Sequence, residues 1–256
     1  MNNHQQARIG FVWPGGGSEH DFYQFLEETG DRARLFITCT RVGGDGDNDH
    51  DVEALEQTSR LDWLVEAALR LIPLKVDCVY WPCTSGSFIR GRAHAEEQLR
   101  VLTDTVSAPS GSTSLAFIEA LRYSGFRRVS VLSTYPEPAS RAFESFLNEF
   151  DIEVLNMIWL NAPSGWDAAL FEPELIIKHI PGAIHPDADV LLIPDTAMPS
   201  TFAIREFESC AGIPVFTANG VTMWHAMSLA GLTLSDSRFG TLIAGELGGK
   251  VGSGLS

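Results

Sequence analysis

Two short stretches place reactive side chains directly after apolar runs. Cys83 follows the run at residues 78–82 and opens a turn rich in hydroxyl groups and glycine, residues 84–87. Asp195 follows a second apolar run, residues 190–194, and precedes Thr196. The two Pro-x-Thr passages are 112 residues apart (195 − 83 = 112). We predict that Cys83 and Asp195 face one small molecule from two sides.

Cys83 has the residue type and the surroundings of a nucleophile or a base. A thiol reacts as its thiolate, and the amides and hydroxyls of a turn can bind a carboxylate and stabilise negative charge. We therefore expect a thiol reagent to label Cys83 in preference to the other three cysteines. Those three look structural, because small buried thiols are common in apolar strands and near helix ends: Cys39, Cys78 and Cys210.

Three further side chains have both a chemical and a structural interpretation. Asp195 could be an acid or base if its surroundings adjust its pKa, and it could equally be a helix N-cap. Tyr135, at the end of another apolar run, could donate a hydrogen bond to a substrate carboxylate or simply pack. His225 could lie near the site, but a core histidine explains it better.

Strand-like apolar runs alternate with stretches of helical periodicity throughout the chain. The predicted strands are residues 8–13, 35–40, 78–81, 104–108, 128–133, 153–160, 189–193 and 213–216. The predicted helices are residues 21–29, 52–71, 90–102, 113–124, 138–149, 173–180, 202–209 and 221–230. This alternation predicts an α/β fold with parallel sheets, which bind ligands beyond the carboxyl ends of their strands.

The chain also contains an internal repeat. Residues 106–113 resemble residues 215–222 at an offset of 109 (215 − 106), and Trp13-Pro14 corresponds to Tyr135-Pro136 at an offset of 122 (135 − 13). Three matches in the same order predict two similar α/β halves with a site in the cleft between them. We assign residues 1–114 to the first half, with residues 222–256 packing back on it, and residues 115–221 to the second.

The glycine- and aspartate-rich segment 43–51 invites comparison with a calcium loop. It lacks the glutamate that closes an EF-hand, so a solvated loop over the mouth of the site is the better interpretation. The cysteines show no zinc-type spacing with histidine, and no metal site is predicted. The glycine- and serine-rich tail from Gly248 is expected to fray.

Composition and charge exclude several classes of partner. The 256 residues carry a net charge of −15, which argues against nucleic acid or an anionic membrane surface as a partner. No apolar run is long enough to span a membrane, and the polar N-terminus is unlike a signal peptide. A cytoplasmic location with reduced cysteines is expected, and a homo-oligomer is possible.

These motifs resemble the aspartate/glutamate racemase superfamily, nearest to its maleate isomerase and arylmalonate decarboxylase branch. Residues 82–87 are similar to the first cysteine motif of maleate isomerases, and residues 133–135 to the segment with their substrate-binding tyrosine. Residues 198–200 match the residues that come after the second cysteine of those enzymes. The resemblance runs from Ile9 to about Gly231. It implies two halves with pseudo-twofold symmetry, no cofactor, and paired cysteines flanking a small carboxylate.

The resemblance also implies roles for particular residues. The positions that surround the substrate carboxylates in the family correspond to Pro14, Thr84, Ser85, Tyr135 and Thr196, and Gly15 is added from the same first loop. Two positions differ. Asp195 stands where most members have the second cysteine, and Gly17 stands where maleate isomerases have an asparagine. The decarboxylase branch keeps the second cysteine and replaces the first, whereas this chain keeps the first cysteine and replaces the second.

The resulting hypothesis is a cofactor-independent isomerase or racemase that acts on a small dicarboxylate such as maleate or an aspartate-like acid. Cys83 either adds to a double bond or removes an α-proton, and Asp195 works on the other face. One alternative is an arylmalonate-type decarboxylase or a dehydratase with a single thiol. A different class is a non-catalytic protein that only binds a carboxylate.

Overall fold

The structure, a computed structural model, describes residues 6–15 and 17–247. The tail from Gly248, for which fraying was predicted, lies outside the described residues. Within the described part of the chain, no helix is both long enough and apolar enough to cross a membrane.

Residues 7–112 build a four-stranded parallel sheet with the strand order β2-β1-β3-β4. Its strands are β1 (Ala7–Trp13), β2 (Ala33–Cys39), β3 (Cys78–Trp81) and β4 (Ser110–Ser112). The helices between them are α1 (Glu19–Glu28), α2 (Val52–Thr58), α3 (Leu61–Ala68), α4 (Thr84–Phe88) and α5 (Gly91–Val106), with a 3-10 turn at Leu69–Leu74. Helix α6 (Thr113–Ser124) follows β4 and leads into the second sheet.

Residues 128–217 build a second four-stranded parallel sheet in the equivalent order, β6-β5-β7-β8. Its strands are β5 (Arg128–Ser133), β6 (Glu153–Trp159), β7 (Val190–Ile193) and β8 (Val215–Thr217). The helices are α7 (Glu137–Asn148), α8 (Gly165–Ala169), α9 (Pro173–Ala183), α10 (Ile204–Ala211), α11 (Ala218–Leu229) and α12 (Gly240–Ala244), with a 3-10 turn at Ser237–Phe239. The predicted α/β fold with two parallel sheets is confirmed.

Strands β3 and β7, which occupy equivalent positions in the two sheets, are buried on both faces, as parallel strands covered by helices must be. In β3, Tyr80 packs into the core that the two sheets share, whereas Trp81 packs into the outer layer with Leu64 and Leu102. In β7, Leu192 belongs to the shared core and Ile193 to an outer layer. Alternate side chains therefore tie each sheet to the other half and to its own helices.

Equivalent contacts recur in the two halves. Asp77 Oδ2 accepts a hydrogen bond from the amide of Arg8 at 2.8 Å, and Asp189 Oδ2 accepts one from the amide of Arg128 at 2.9 Å. Each aspartate stands just before a central strand and fixes it to the start of its neighbour. The spacing of the two aspartates, 112 residues (189 − 77), equals that of Cys83 and Asp195. The sequence repeat is thus a repeat of structure.

Two predicted elements are wrong. The predicted helix at residues 52–71 is broken, because Ser59 ends α2 and Arg60 is extended before α3 begins. The predicted strand at residues 104–108 is the end of α5, which runs to Val106. Its buried residues Ala95, Gln98 and Leu102 keep helical spacing, and the left-handed Ser107 ends the helix only then.

The proposed division of the chain stays a prediction. The boundaries at residues 114 and 221 fall inside α6 and α11, two helices that pack against each other. Helix α11 also contacts α1 and β3 of the first half. Its Ala226 carbonyl lies 3.6 Å from Cys78 Sγ, which is the kind of contact expected if the C-terminal segment packs back on the first half.

Candidate active site

A cavity of about 210 Å³ lies at the carboxyl ends of the strands, where polar loops follow each central strand. Six of the eight predicted site residues line it. They come from the loops after β1, β3 and β7: Pro14, Gly15, Cys83, Ser85, Asp195 and Thr196. The rest of the lining comes from Val42 and the acidic loop 43–51, from α2, from the start of α8, and from Ala197 beside Thr196. The two matched loops therefore meet at one cavity.

Cys83 is the N-cap of α4, with an extended backbone between β3 and the helix. Its Sγ accepts a hydrogen bond from the Gly86 amide at 3.3 Å, and the Ser85 hydroxyl lies 3.8 Å away. Gly86 permits this approach, because a Cβ there would stand 2.7 Å from the ring of Trp81 and 3.0 Å from the sulfur. The turn thus directs donors at the thiol.

Burial outweighs these donors and raises the pKa of the Cys83 thiol to about 12. The Gly86 amide and the Ser85 hydroxyl lower that pKa, while the Asp195 and Asp49 carboxylates raise it further. At neutral pH this raised pKa favours the protonated thiol, and preferential labelling of Cys83 over the other cysteines stays a prediction. Cys39 and Cys210 are exposed, so the prediction that they are buried structural thiols is wrong, whereas Cys78 is buried.

Asp195 occupies a strained backbone position, with φ of 113°, where side chains other than glycine are rare. The side chain is buried and both of its oxygens are held. Oδ1 accepts from the Ala197 amide at 2.9 Å, and Oδ2 accepts from the Thr134 hydroxyl at 2.6 Å. Asp195 does not precede a helix directly, because α10 begins only at Ile204. Its geometry is that of a fixed carboxylate at a cavity wall rather than a helix cap.

Two side chains of the acidic loop, for which a solvated position is predicted, lie at the same wall of the cavity. His50 is 5% exposed, and its Nε2 lies 3.8 Å from Asp195 Oδ2. Asp49 Oδ1 accepts a hydrogen bond from the Gly165 amide at 2.9 Å. Burial raises the pKa of Asp49, and Asp195 and Asp167 add to that effect, while His50 and the Gly165 amide oppose it. The loop lies over the mouth as predicted, but its end is part of the site.

Tyr135 and Thr84 are placed behind the cavity lining rather than in it. The Tyr135 ring is buried and stacks edge-on against His50, with ring centroids 4.6 Å apart. Burial raises the pKa of Tyr135 well above its usual value, and Asp195 and Cys83 raise it further, whereas the hydroxyls of Ser85 and Thr84 lower it. Although Thr84 Oγ1 affects Tyr135 in this way, it makes no well-directed hydrogen bond to any described residue. Both hydroxyls are thus close to the site.

Trp166 forms part of the cavity wall from the second half of the chain, at the start of α8. Its side chain is 61% exposed and lies over Gly17, where a Cβ would come within 3.0 Å of the indole ring. Gly17 also has a φ of 88°, which favours glycine. The absence of a side chain at residue 17 therefore makes room for an aromatic ring from the other half.

His225 is not among the cavity residues. Its Nδ1 lies 3.2 Å from the Tyr80 hydroxyl, and burial lowers the pKa of its ring. The described lining of the cavity contains two carboxylates and one histidine but no lysine or arginine. No group of three or more metal-binding side chains occurs among residues 6–15 and 17–247.

One of the site residues missed from the sequence had a usable signal. Thr134 directly precedes Tyr135 after β5, so the rule that strand ends carry ligand-binding residues could have found it. Asp49 and His50 lie in a loop between elements and Trp166 lies at the start of the short helix α8, and no sequence motif marks any of the three. Only the folded arrangement brings them to the cavity.

The fold and the site define a class, the α/β proteins with two parallel four-stranded sheets and a cavity between matched strand ends. Within that class, the sequence model of the family described as "Arylmalonate decarboxylase" matches residues 50–243, about three quarters of the chain. The chain belongs to this family. The resemblance stated from the sequence is confirmed.

Two relatives carry the two predicted activities in their names. The maleate isomerase of Alcaligenes faecalis is 23% identical over 199 residues, which covers 77% of this chain and 79% of that protein. The arylmalonate decarboxylase of Bordetella bronchiseptica is 27% identical over 176 residues, which covers 67% and 72%. One of these relatives is named as an isomerase and the other as a lyase, the two activities that the sequence predicts for this chain.

Solved structures agree in fold. A maleate isomerase variant from Pseudomonas putida, crystallised with maleate, superposes with a TM-score of 0.84 at 21% identity and covers 94% of this chain and 98% of its own. A maleate cis-trans isomerase variant from Nocardia farcinica, with one cysteine replaced by serine and a covalently bound succinylcysteine intermediate, gives 0.80 at 17% identity, covering 93% and 98%.

Proposed function

We propose that this protein is a cofactor-independent isomerase or racemase of a small dicarboxylate, with Cys83 and Asp195 acting on opposite sides of the reacting carbon. One observation carries the proposal. Loops at equivalent positions of the two halves bring these two residues to the wall of the same cavity. Its volume, about 210 Å³, suits a molecule the size of maleate or aspartate rather than a large substrate.

Substrate binding rests on hydroxyls and backbone amides, because the described lining offers no basic side chain. The hydroxyls of Thr84, Ser85 and Thr196 and the backbone amide of Gly15 are our candidates for holding the carboxylates, while Pro14, which has no N–H, lines the cavity beside them. Buried donors of this kind stabilise negative charge strongly where water is excluded. Tyr135 lies behind the cavity wall, close to the hydroxyls of Thr84 and Ser85, and helps to hold these two hydroxyls in place.

The chemistry begins from a neutral thiol. In one version the S–H group adds across the double bond of a maleate-like acid, the single bond rotates, and elimination restores the thiol and releases the trans isomer. The succinylcysteine adduct of the Nocardia enzyme supports this version. In the other version, a proton leaves the α-carbon on one face and another arrives on the opposite face. Both versions conserve the atoms of the substrate and need no cofactor.

A second candidate is decarboxylation of a malonate-type acid. The raised pKa of Cys83 favours it, because a thiol that is neutral at rest is already the proton donor that the carbanion needs once CO₂ has left. The same property would suit a single-thiol dehydratase that protonates a departing hydroxyl. The family name and the Bordetella relative agree with the lyase interpretation.

The deciding experiment offers maleate, both enantiomers of aspartate, hydroxyaspartate and phenylmalonate to the wild type in D₂O and follows the products by NMR. We expect isomerisation or racemisation of one acid, and a loss of about 100-fold or more in Cys83→Ser. Cys210→Ser, with an exposed thiol, is the control and should keep full activity. A Cys83→Ser variant as active as the wild type would contradict the proposal.

Each remaining outcome selects another function. Release of CO₂ from phenylmalonate alone would identify a decarboxylase. Binding without turnover, seen as protection of Cys83 from alkylation by a dicarboxylate, would identify a carboxylate-binding protein. A cytoplasmic location and a possible homo-oligomer belong to the same proposal and can be checked by fractionation and by sedimentation.

A further inference from the structure

His50 is anchored at the end of the acidic loop in a way that defines its tautomer. Its Nδ1 lies 2.9 Å from the carbonyl oxygen of Ala162, and its amide donates to the carbonyl of Pro163 at 3.1 Å. A carbonyl can only accept, so Nδ1 carries the ring proton. In the neutral ring, the lone pair is therefore on Nε2.

The Nε2 atom is free to meet a ligand. It lines the cavity, and it makes no hydrogen bond to any of the residues that the structure describes. Asp195 Oδ2, at 3.8 Å, is beyond hydrogen-bond distance and is already held by the Thr134 hydroxyl. Asp195, from the loop after β7, and His50, from the acidic loop, thus present two groups at one side of the cavity. One is a carboxylate whose oxygens are occupied, and the other is an imidazole nitrogen that is not.

Several charged and titratable groups surround His50. Asp195 and Asp49 are the nearby carboxylates, with Asp167 beyond Asp49. The Tyr135 ring packs on one side, and Cys83 lies in the same cavity. A buried carboxylate beside an imidazole stabilises the cation that forms when the ring takes a proton, as in hydrolase triads.

We propose that His50 Nε2 is the catalytic base opposite Cys83, with Asp195 stabilising the imidazolium. This inference rests on the proposed function in its α-proton version. His50 takes the α-proton: the C–H bond breaks, its electron pair moves into the carboxylate to form an enediolate, and an N–H bond forms. Cys83 then gives its proton to the opposite face, where S–H breaks and a new C–H forms. Proton return from imidazolium to thiolate through water resets both groups.

A structural strap is the competing role, because His50 also joins the acidic loop to residues 162–163. Asparagine separates the two roles. In His50→Asn, Nδ2 takes the place of Nδ1 and keeps the hydrogen bond to Ala162, but no group replaces Nε2. The control is His179→Asn, since His179 Nδ1 makes the same kind of bond to the Leu175 carbonyl within α9, away from the cavity.

The experiment measures two rates with each enantiomer of the substrate in D₂O, deuterium entry at the α-carbon and inversion. We expect exchange to fall about 100-fold or more in His50→Asn while thermal stability and binding stay at the wild-type level, as in His179→Asn. Cys83→Ser should lose inversion but still exchange the enantiomer whose proton faces His50. The pH profile of exchange measured for the wild type should change in His50→Asn, in which no group replaces Nε2.

The outcomes separate the two proposals. If His50→Asn exchanges at the wild-type rate, or if its pH profile is unchanged, the base is not His50 and the proposed function stands. If the wild type only releases CO₂, the base role is overturned in favour of the lyase. If the wild type exchanges no α-proton on any acid offered, the α-proton version fails and the role of His50 fails with it.

Discussion

At the scale of single residues, the two buried cysteines have unusually high thiol pKa values. Burial raises the pKa of both Cys78 and Cys83 to about 12, from an ordinary value of 9.0. For Cys78 the other contribution is a nearby Asp77, and for Cys83 it includes two cavity carboxylates opposed by the Gly86 amide. The raised pKa therefore favours the protonated form of the Cys83 thiol, which is the form that a proton donor requires.

This balance predicts how stability depends on pH. Above about pH 9 the unfolded chain loses the thiol protons while the folded protein keeps them, so the free energy of unfolding falls as pH rises toward 12. The stabilising contribution is complete below pH 9. Each thiol should add up to about 1.4 kcal/mol per pH unit to the slope. Urea unfolding from about pH 8 to about pH 10 measures it.

Matched variants assign the slope to its source. Cys83→Ala should remove its share of the pH dependence whatever its effect on stability at neutral pH. Cys210→Ser should leave the slope unchanged, because that thiol is exposed and has water around it in both states. An identical slope in the wild type and in Cys83→Ala would show that the Cys83 thiol is not held neutral by the fold.

At the scale of elements, the contact between the first loop and α8 links the two halves across the cavity mouth. Gly17→Ala places a Cβ at a φ of 88° and within 3.0 Å of the Trp166 ring. We expect it to lose about 1–2 kcal/mol from backbone strain and, in addition, to displace the indole. Urea unfolding gives the first effect, and the fluorescence difference between this variant and its Trp166→Phe double variant gives the second.

The control for this prediction is Gly30→Ala, which has a similar φ of 86° but no heavy atom within 4 Å of the added Cβ. It should show only the cost of strain. In a Trp166→Ala background the loss at residue 17 should shrink toward the loss at residue 30, and the remaining difference should come from the contact of the added Cβ with Ala169 Cβ at 3.2 Å. Equal losses with the native Trp166 present would mean that the indole moves aside freely and does not set the shape of the cavity.

The elements also mark how far the sequence could lead. Strands β3, β5 and β7 were predicted nearly to the residue, because fully buried parallel strands are short apolar runs, and the loops after them gave Cys83 and Asp195. The predicted end of α5 at residue 102 is too early, because the last turn of this helix holds β-branched residues, which disfavour a helix. In the folded protein, packing outweighs that local preference. His50 could not be predicted, since its position depends on carbonyls of the loop at residues 162–163, more than a hundred residues away.

At the scale of the whole molecule, the two halves meet along α6 and α11, which stand in equivalent places after β4 and β8. Thr113 and Thr222, which the repeat pairs at its offset of 109 residues, lie at this junction, and their hydroxyls are 2.7 Å apart. A residue that contacts its own repeat equivalent must lie close to the axis relating the two copies. The pseudo-twofold relation implied by the sequence thus has a physical centre in a buried pair of hydroxyls.

A double-mutant cycle at this centre tests how the halves are joined. Thr113→Val and Thr222→Val should each cost about 1–3 kcal/mol, because each leaves the other buried hydroxyl unpaired. The double variant removes both hydroxyls and should cost less than the sum, by about 1 kcal/mol. The exposed pair Thr103 and Ser110, also 2.7 Å apart, is the control, and its cycle of Thr103→Val and Ser110→Ala should be additive because water replaces either partner. Additive losses at Thr113 and Thr222 would mean that these hydroxyls do not depend on each other and that apolar packing of α6 on α11 alone joins the two halves.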